Sequence, residues 1–408
     1  MTSGLLACLL FSGIFAVRKK WSWALVLLLV VFTWKFIWNM VLYDYATSNF
    51  DYFIFIPSLL FFFARNKICQ LRLVWPLLYL FAALVKLNDG WILGTYFSSL
   101  KTGLPFLPDL SIPYITNGTI LFEIFGALGL LARNRRVFYF SLWAWTAFHL
   151  YSGILVGYFY PVRCLSILWA LFGFQDSQEE VPPSKKETLF NAVGVLVACY
   201  FCVANFIPRI ISTNPSETFE GMNYGFHMFD ANHQCLYQFR YFDESGRILK
   251  EMEFGTSHPM ARCYPQFVLQ KIKRLYCQKF AMGRAERVEW SLRHSTNGGA
   301  FYETISVTNA CSLQFKAFSR NDWIKTKGNG ALLVGYPEKN GIYPYQSGAL
   351  PKVYSTPQIQ MNSTQKWILN HYDMILSTYF VLWFATFFWY IRWTWGHGFQ
   401  IEPQVRES

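Results

Sequence analysis

The feature that most constrains this chain is the gathering of its apolar residues into long runs, parted by short basic turns and by one extended polar block. Nine runs lie near 2–17, 22–43, 51–64, 71–88, 112–132, 137–158, 161–174, 189–210 and 368–393. A membrane-crossing helix needs roughly 17–25 such residues. Only 15% of the 408 residues are charged, against about 25% in a soluble protein. The pattern predicts a multi-pass α-helical membrane bundle of about nine spans carrying an α+β, strand-rich extracytoplasmic domain. Residues 1–210 form the helical domain, 211–366 the outer domain, and 367–408 a final span with a tail. The first, third and seventh runs are the weakest candidates, short enough to be tilted, re-entrant or buried.

The cations set an orientation. Arg18-Lys19-Lys20, the group Arg65, Lys67 and Arg72, the turn Arg133 to Arg136, and the pair Lys185 and Lys186 all fall on one side of nine crossings. The positive-inside rule makes that side cytoplasmic. It puts the N-terminus and residues 211–366 outside and the C-terminal tail inside, in a bacterial inner membrane or the endoplasmic reticulum. The first run has its basic cluster after the apolar stretch, the wrong polarity for a cleaved signal peptide. Much of the net charge of +12 lies in these turns, so nucleic acid is not an expected partner.

Within 211–366 the periodicity changes. Leu236 to Phe242 and Ile248 to Phe254 alternate around the turn residues Asp243-Glu244-Ser245-Gly246, which predicts a hairpin. Phe267 to Phe280 carries apolar residues at helical spacing. Arg287 to Arg293 and Phe301 to Val307 flank Ser295-Thr296-Asn297-Gly298-Gly299 as a second hairpin. Cys235, Cys263, Cys277 and Cys311 permit two disulfides in three pairings, and at least one is expected in an oxidising compartment. His227, His233, His258 and His294 show no metal-ligand spacing and are read as surface or packing residues; no metal is expected. Asn362-Ser363-Thr364 is a glycosylation sequon.

Ionisable residues inside apolar runs are functional candidates, because burying their charge is costly. Lys86 ends the fourth run, Glu123 lies mid-way along the fifth and His149 mid-way along the sixth. Burial among Ala83, Leu84, Val85 and Leu87 strips water from the Lys86 amine, the setting in which a lysine serves as general base. Near a helix end, it is equally placed to snorkel to an interface. Counting from the turn at Arg133 to Arg136 at about 1.5 Å per residue brings Glu123 and His149 to similar depth. There they either share a proton or form a structural pair that fixes helix packing.

At these positions the sequence resembles the vitamin K-dependent gamma-carboxylases and the wider group with a horizontally transferred transmembrane (HTTM) domain. The resemblance is carried by Phe81-Ala82-Ala83-Leu84-Val85-Lys86-Leu87-Asn88-Asp89-Gly90-Trp91-Ile92-Leu93-Gly94 and by Phe148-His149-Leu150 with its following apolar run, over roughly residues 10 to 210. It implies a membrane enzyme coupling quinol oxygenation to modification of a secreted peptide or protein. Reduced vitamin K or another quinol would be the cofactor, with O₂ and CO₂ as co-substrates. Lys86 would be the base that deprotonates the quinol, with Glu123 and His149 lining its pocket and Asn88 and Trp91 binding substrate. The lipid bilayer, the quinol and the secreted polypeptide would be its partners. Phe50 stands where the carboxylases have a histidine, and one lysine stands where the animal enzymes have two. These departures keep two alternatives open: a non-carboxylating HTTM protein in maturation or export of a secreted peptide, and a lipid-binding or transport protein.

Overall fold

The structure is a computed structural model that describes residues 2–42, 60, 67–98, 104–156, 159–173, 192–212, 215–222, 224–225, 230–256, 262–277, 285–297, 301–326 and 362–396. The third apolar run (apart from Leu60), Phe50, His227, His258, Lys185, Lys186 and the Gly- and Pro-rich stretch 327–357 lie outside them.

Helices stand at the other eight runs. They are α1 (Thr2–Val17), α2 (Trp21–Leu42), α3 (Lys67–Val85), α4 (Asp89–Ile92), α5 (Ile112–Gly129), α6 (Arg135–Val156), α7 (Phe159–Leu168), α8 (Ala192–Ile211), then α9 (Pro265–Ile272) in the polar block, and α10 (Ser363–Asn370) and α11 (Tyr372–Gly396) beyond it. The short α4 continues from the turn after α3. A break at His371 splits the last run into two helices.

The expectation of about nine spans is corrected. Among the described residues only two helices, Lys67–Val85 and Tyr372–Thr394, are long and apolar enough to cross a membrane. Within the described residues, the apolar stretches Leu6–Val17, Ser22–Val31, Pro161–Gly173 and Leu196–Ile211 are each shorter than the 18 residues asked of a span. The sequence of α5 is diluted by Pro113, Asn117 and Glu123, and that of α6 by Arg135, Arg136, Ser141 and His149. The multi-pass integral assignment falls with the span count. So does the sidedness, an outside N-terminus and outer domain with a cytoplasmic tail, because it was counted from nine crossings.

The helical body is organised around α3. Its residues from Leu73 to Leu84 are all buried, the signature of a helix apolar on every face that sits inside a core. Pro76 lies within it and has no backbone N–H to donate. Neighbours bond to its carbonyls from several directions: Trp383 Nε1 donates to the Leu80 oxygen at 2.6 Å, Tyr390 to Leu73 at 2.5 Å, and Arg209 to Leu84. Helices α5 and α11 pack against it. On the opposite faces of α6 and α11, Phe140, Trp143, Val381 and Phe388 are exposed.

The polar block folds into an antiparallel sheet in the order β2-β1-β3-β4, with β1 (His233–Phe242), β2 (Ile248–Thr256), β3 (Arg287–Thr296) and β4 (Tyr302–Val307). Both predicted hairpins form, and β1 joins them by pairing with β3, for example Phe239 opposite Trp290. The alternate residues Tyr237, Phe239 and Tyr241 of β1 are buried with Trp290 and Leu292 beneath α9. In the first hairpin turn the Ser245 hydroxyl, then the Arg247 N–H, hold the Asp243 carboxyl down to about 2. Both disulfides are present, Cys235–Cys263 and Cys277–Cys311.

The sheet docks on the turn between α3 and α4. Asn88 Nδ2 donates to the Asp230 backbone oxygen at 3.3 Å, and Asn232 Nδ2 donates to the Tyr96 oxygen at 2.6 Å. A Cβ on Gly90 would lie 2.4 Å from Asn297 Nδ2. Asn297 has little room to yield, since its Oδ1 accepts from the Asn232 N–H at 2.9 Å. Gly90→Ala is therefore expected to overpack the joint and cost about 1–3 kcal/mol. A thermal melt checks this; an unchanged melting temperature would mean that turn and sheet do not meet at Gly90.

Candidate functional site

The site is built on the C-terminal end of α3. Lys86 bonds backward, its N–H to the Ala83 oxygen at 2.9 Å, before the chain turns at Asn88. The Asn88 side chain secures that turn by accepting from the Trp91 N–H at 3.1 Å and donating to the Val85 oxygen at 2.9 Å. Asn117 of α5 donates to the Ile92 oxygen and Gln365 of α10 to the Leu93 oxygen. Helices α5 and α10 therefore both fix this one short segment.

Lys86 does not snorkel. It is 2% exposed, and its Nζ lies 2.8 and 2.7 Å from the two oxygens of Glu123, itself 2% exposed. The Ala82 oxygen is 3.2 Å away and the Trp91 ring centroid 5.0 Å. All three N–H bonds of an ammonium have acceptors in this arrangement, two of them on one carboxylate. The same contact admits a second state, with the proton on Glu123 and a free amine facing it. A proton can pass along a 2.7 Å link without moving either side chain.

His149 takes a different partner. Its Nε2 lies 2.7 Å from the Tyr79 hydroxyl, and Tyr79 stacks on Trp145 with ring centroids 3.6 Å apart. Depth-matching had paired Glu123 with His149, but depth along a helix leaves rotation about its axis open, and Glu123 points to Lys86 instead. Tyr79 is the residue that sequence reasoning missed. Its signal was its place seven residues before Lys86, two turns along the same helical face. Asn88 and Trp91 both border the pair, Asn88 through the turn and Trp91 through its ring.

Two buried polar atoms here have no hydrogen-bond partner among the described residues, His149 Nδ1 and Trp145 Nε1. They lie one helical turn apart on α6, with ring centroids 6.0 Å apart. An unmet buried donor or acceptor costs about 1–3 kcal/mol. A flat aromatic ligand bearing hydroxyl or carbonyl oxygens would satisfy both, so the residues fit a quinol. Among the described residues no group of three His, Cys, Asp or Glu side chains converges on a metal position.

No protein-family model matches this chain, and no curated protein or solved structure matches it.

Proposed function

We propose that this protein is an enzyme resembling the vitamin K-dependent gamma-carboxylases, in which Lys86 and Glu123 together accept a proton from a lipid-soluble quinol. The observation that carries this reading is the buried Lys86–Glu123 pair, at 2.7 Å, with Lys86 inside the Phe81-to-Gly94 motif. When bound, the quinol supplies oxygen chemistry whose product is a strong base, able to remove a γ-proton from a glutamate of a secreted polypeptide that then takes up CO₂.

The protein's own part is proton handling and enclosure. With the pair's proton on Glu123, the Lys86 amine takes the quinol hydroxyl proton, and the resulting ammonium is held by the Glu123 carboxyl and the Ala82 oxygen. His149 Nδ1 and Trp145 Nε1, both without a hydrogen-bond partner among the described residues, would orient the ring by hydrogen bonds. Burial of the pair excludes water, which protects a reactive species from quenching. Exposed apolar side chains on α6 and α11, Trp143 and Phe388 among them, are suited to contact with lipid, through which an isoprenoid-tailed quinol arrives.

The test is incubation of the purified chain with reduced vitamin K, oxygen, labelled bicarbonate and a glutamate-rich peptide. The expected result is quinol consumption with label in acid-stable peptide carboxylate. Quinol consumption without label would favour the non-carboxylating alternative, to which Phe50 in the histidine position also points. No consumption of vitamin K hydroquinone or ubiquinol above a protein-free control would reject the quinol reading.

A further inference from the structure

Across the joint from Lys86, the sheet domain contains a second line of titratable groups. His233 of β1 and His294 of β3 are 2% and 0% exposed, with Nδ1 of the first 3.0 Å from Nε2 of the second. His294 Nδ1 lies 3.1 Å from the hydroxyl of Tyr302 on β4. At the other end His233 Nε2 lies 3.6 Å from an oxygen of the buried Asp230, which Arg262 holds at 2.9 Å. Phe219 covers both imidazoles with its ring. Cross-strand pairing builds the row: His294 lies opposite Cys235, two residues along β1 from His233 and so on the same face, and Tyr302 opposes His294 directly.

We infer that Tyr302, His294, His233 and Asp230 form a proton relay, which runs from the partly exposed Tyr302 to the Asn88 turn that carries Lys86. One arrangement of protons satisfies every link in the same direction. Tyr302 donates to His294 Nδ1, His294 Nε2–H donates to His233 Nδ1, and His233 Nε2–H faces the Asp230 carboxylate. A proton arriving on the Tyr302 oxygen releases the phenolic proton to His294 Nδ1. His294 then passes its Nε2 proton to His233 Nδ1, and His233 passes its Nε2 proton to Asp230. Each ring ends with as many protons as it began with, and Asp230 gains one. The last link must shorten by a few tenths of an ångström to reach hydrogen-bond length.

The electrostatics agree with this order. Burial, then Arg262, lowers the pKa of His233, while Asp230 opposes them; the balance keeps the ring neutral. Burial, then the charge of Glu217, raises that of Tyr302, which keeps the phenol protonated at the entry end. Tyr264 and Arg262 are the other titratable groups facing Asp230. Asp230 meets the catalytic segment through its own backbone oxygen, which accepts from Asn88. The relay thus ends against the segment that holds Lys86. Its effect on the Lys86–Glu123 pair is through the charge on Asp230, which changes as the proton arrives or leaves; that effect rests on the function proposed above, whereas the proton order does not.

Two readouts separate these. In the full-length protein labelled with ¹⁵N-histidine, nitrogen shifts at pH 7 are expected to show His233 and His294 both neutral and protonated on Nε2. In Tyr302→Phe the His294 tautomer is expected to become mixed while His233 and the melting temperature hold. A charged imidazole at either position, or a proton on His294 Nδ1 in the unmodified protein, would overturn the relay whatever the protein's activity. In quinol turnover, Tyr302→Phe is expected to lower kcat about tenfold, leave KM unchanged and alter the pH profile. A purely structural network predicts loss of melting temperature with an unaltered pH profile, and that outcome would also overturn the proposal.

Discussion

Lys86→Met alone should destabilise the protein by about 3–5 kcal/mol, because it leaves the Glu123 carboxyl buried without its partner. Glu123→Leu alone should do the same by stranding the ammonium. The double variant Lys86→Met/Glu123→Leu should recover most of this loss, since it replaces two desolvated charges by apolar side chains of similar volume. The non-additivity is the informative quantity: two single losses of about 3–5 kcal/mol and a small loss in the double imply a coupling of roughly 5 kcal/mol or more, whereas groups that do not touch are additive within a few tenths. Denaturant unfolding of the four proteins measures it. Additive single and double effects would mean that the pair does not form, and the proton-sharing geometry would be lost with it.

Opening either disulfide should have an effect of comparable size. Cys235–Cys263 and Cys277–Cys311 close stretches with sequence separations of 28 and 34 residues. Loop entropy for such lengths gives about 3–4 kcal/mol each. The first bridge ties β1 to the segment before α9, and the second ties the end of that helical segment to the turn after β4. Melting with and without reductant, and in Cys235→Ser/Cys263→Ser, should show the sheet domain unfolding earlier when a bridge is absent. Equal melting in both conditions would indicate that the four thiols are free in solution.

Much of this architecture is legible locally. Period-two alternation in Leu236 to Phe242 and turn residues at Asp243 to Gly246 suffice for the first hairpin, and helices occupy the described apolar runs. What escapes is whatever depends on surroundings. Residues 73–84 are buried on all sides, and their sequence reads the same whether a helix meets lipid or is enclosed by α5 and α11, so composition alone overcounted spans. The β1–β3 pairing joins residues as far apart as His233 and Thr296, with no local marker. His233 and His294 look scattered along the chain and become neighbours only through that pairing. The partner of Lys86 was hidden for a related reason: counting along α5 and α6 yields depth but no rotation, which in the structure aims Glu123 at Lys86 and leaves His149 to Tyr79.

The claim that matters most is that the Lys86–Glu123 pair accepts a quinol proton. Its most direct measurement is aerobic oxidation of reduced vitamin K by the wild-type chain and by the stable double variant Lys86→Met/Glu123→Leu, at matched amounts of folded protein. Turnover by the wild type is expected, with a fall of at least about a hundredfold in the double variant, a size in the range that a positioned acid–base group contributes. Equal turnover by the two proteins would contradict it, and so would a wild type no faster than buffer.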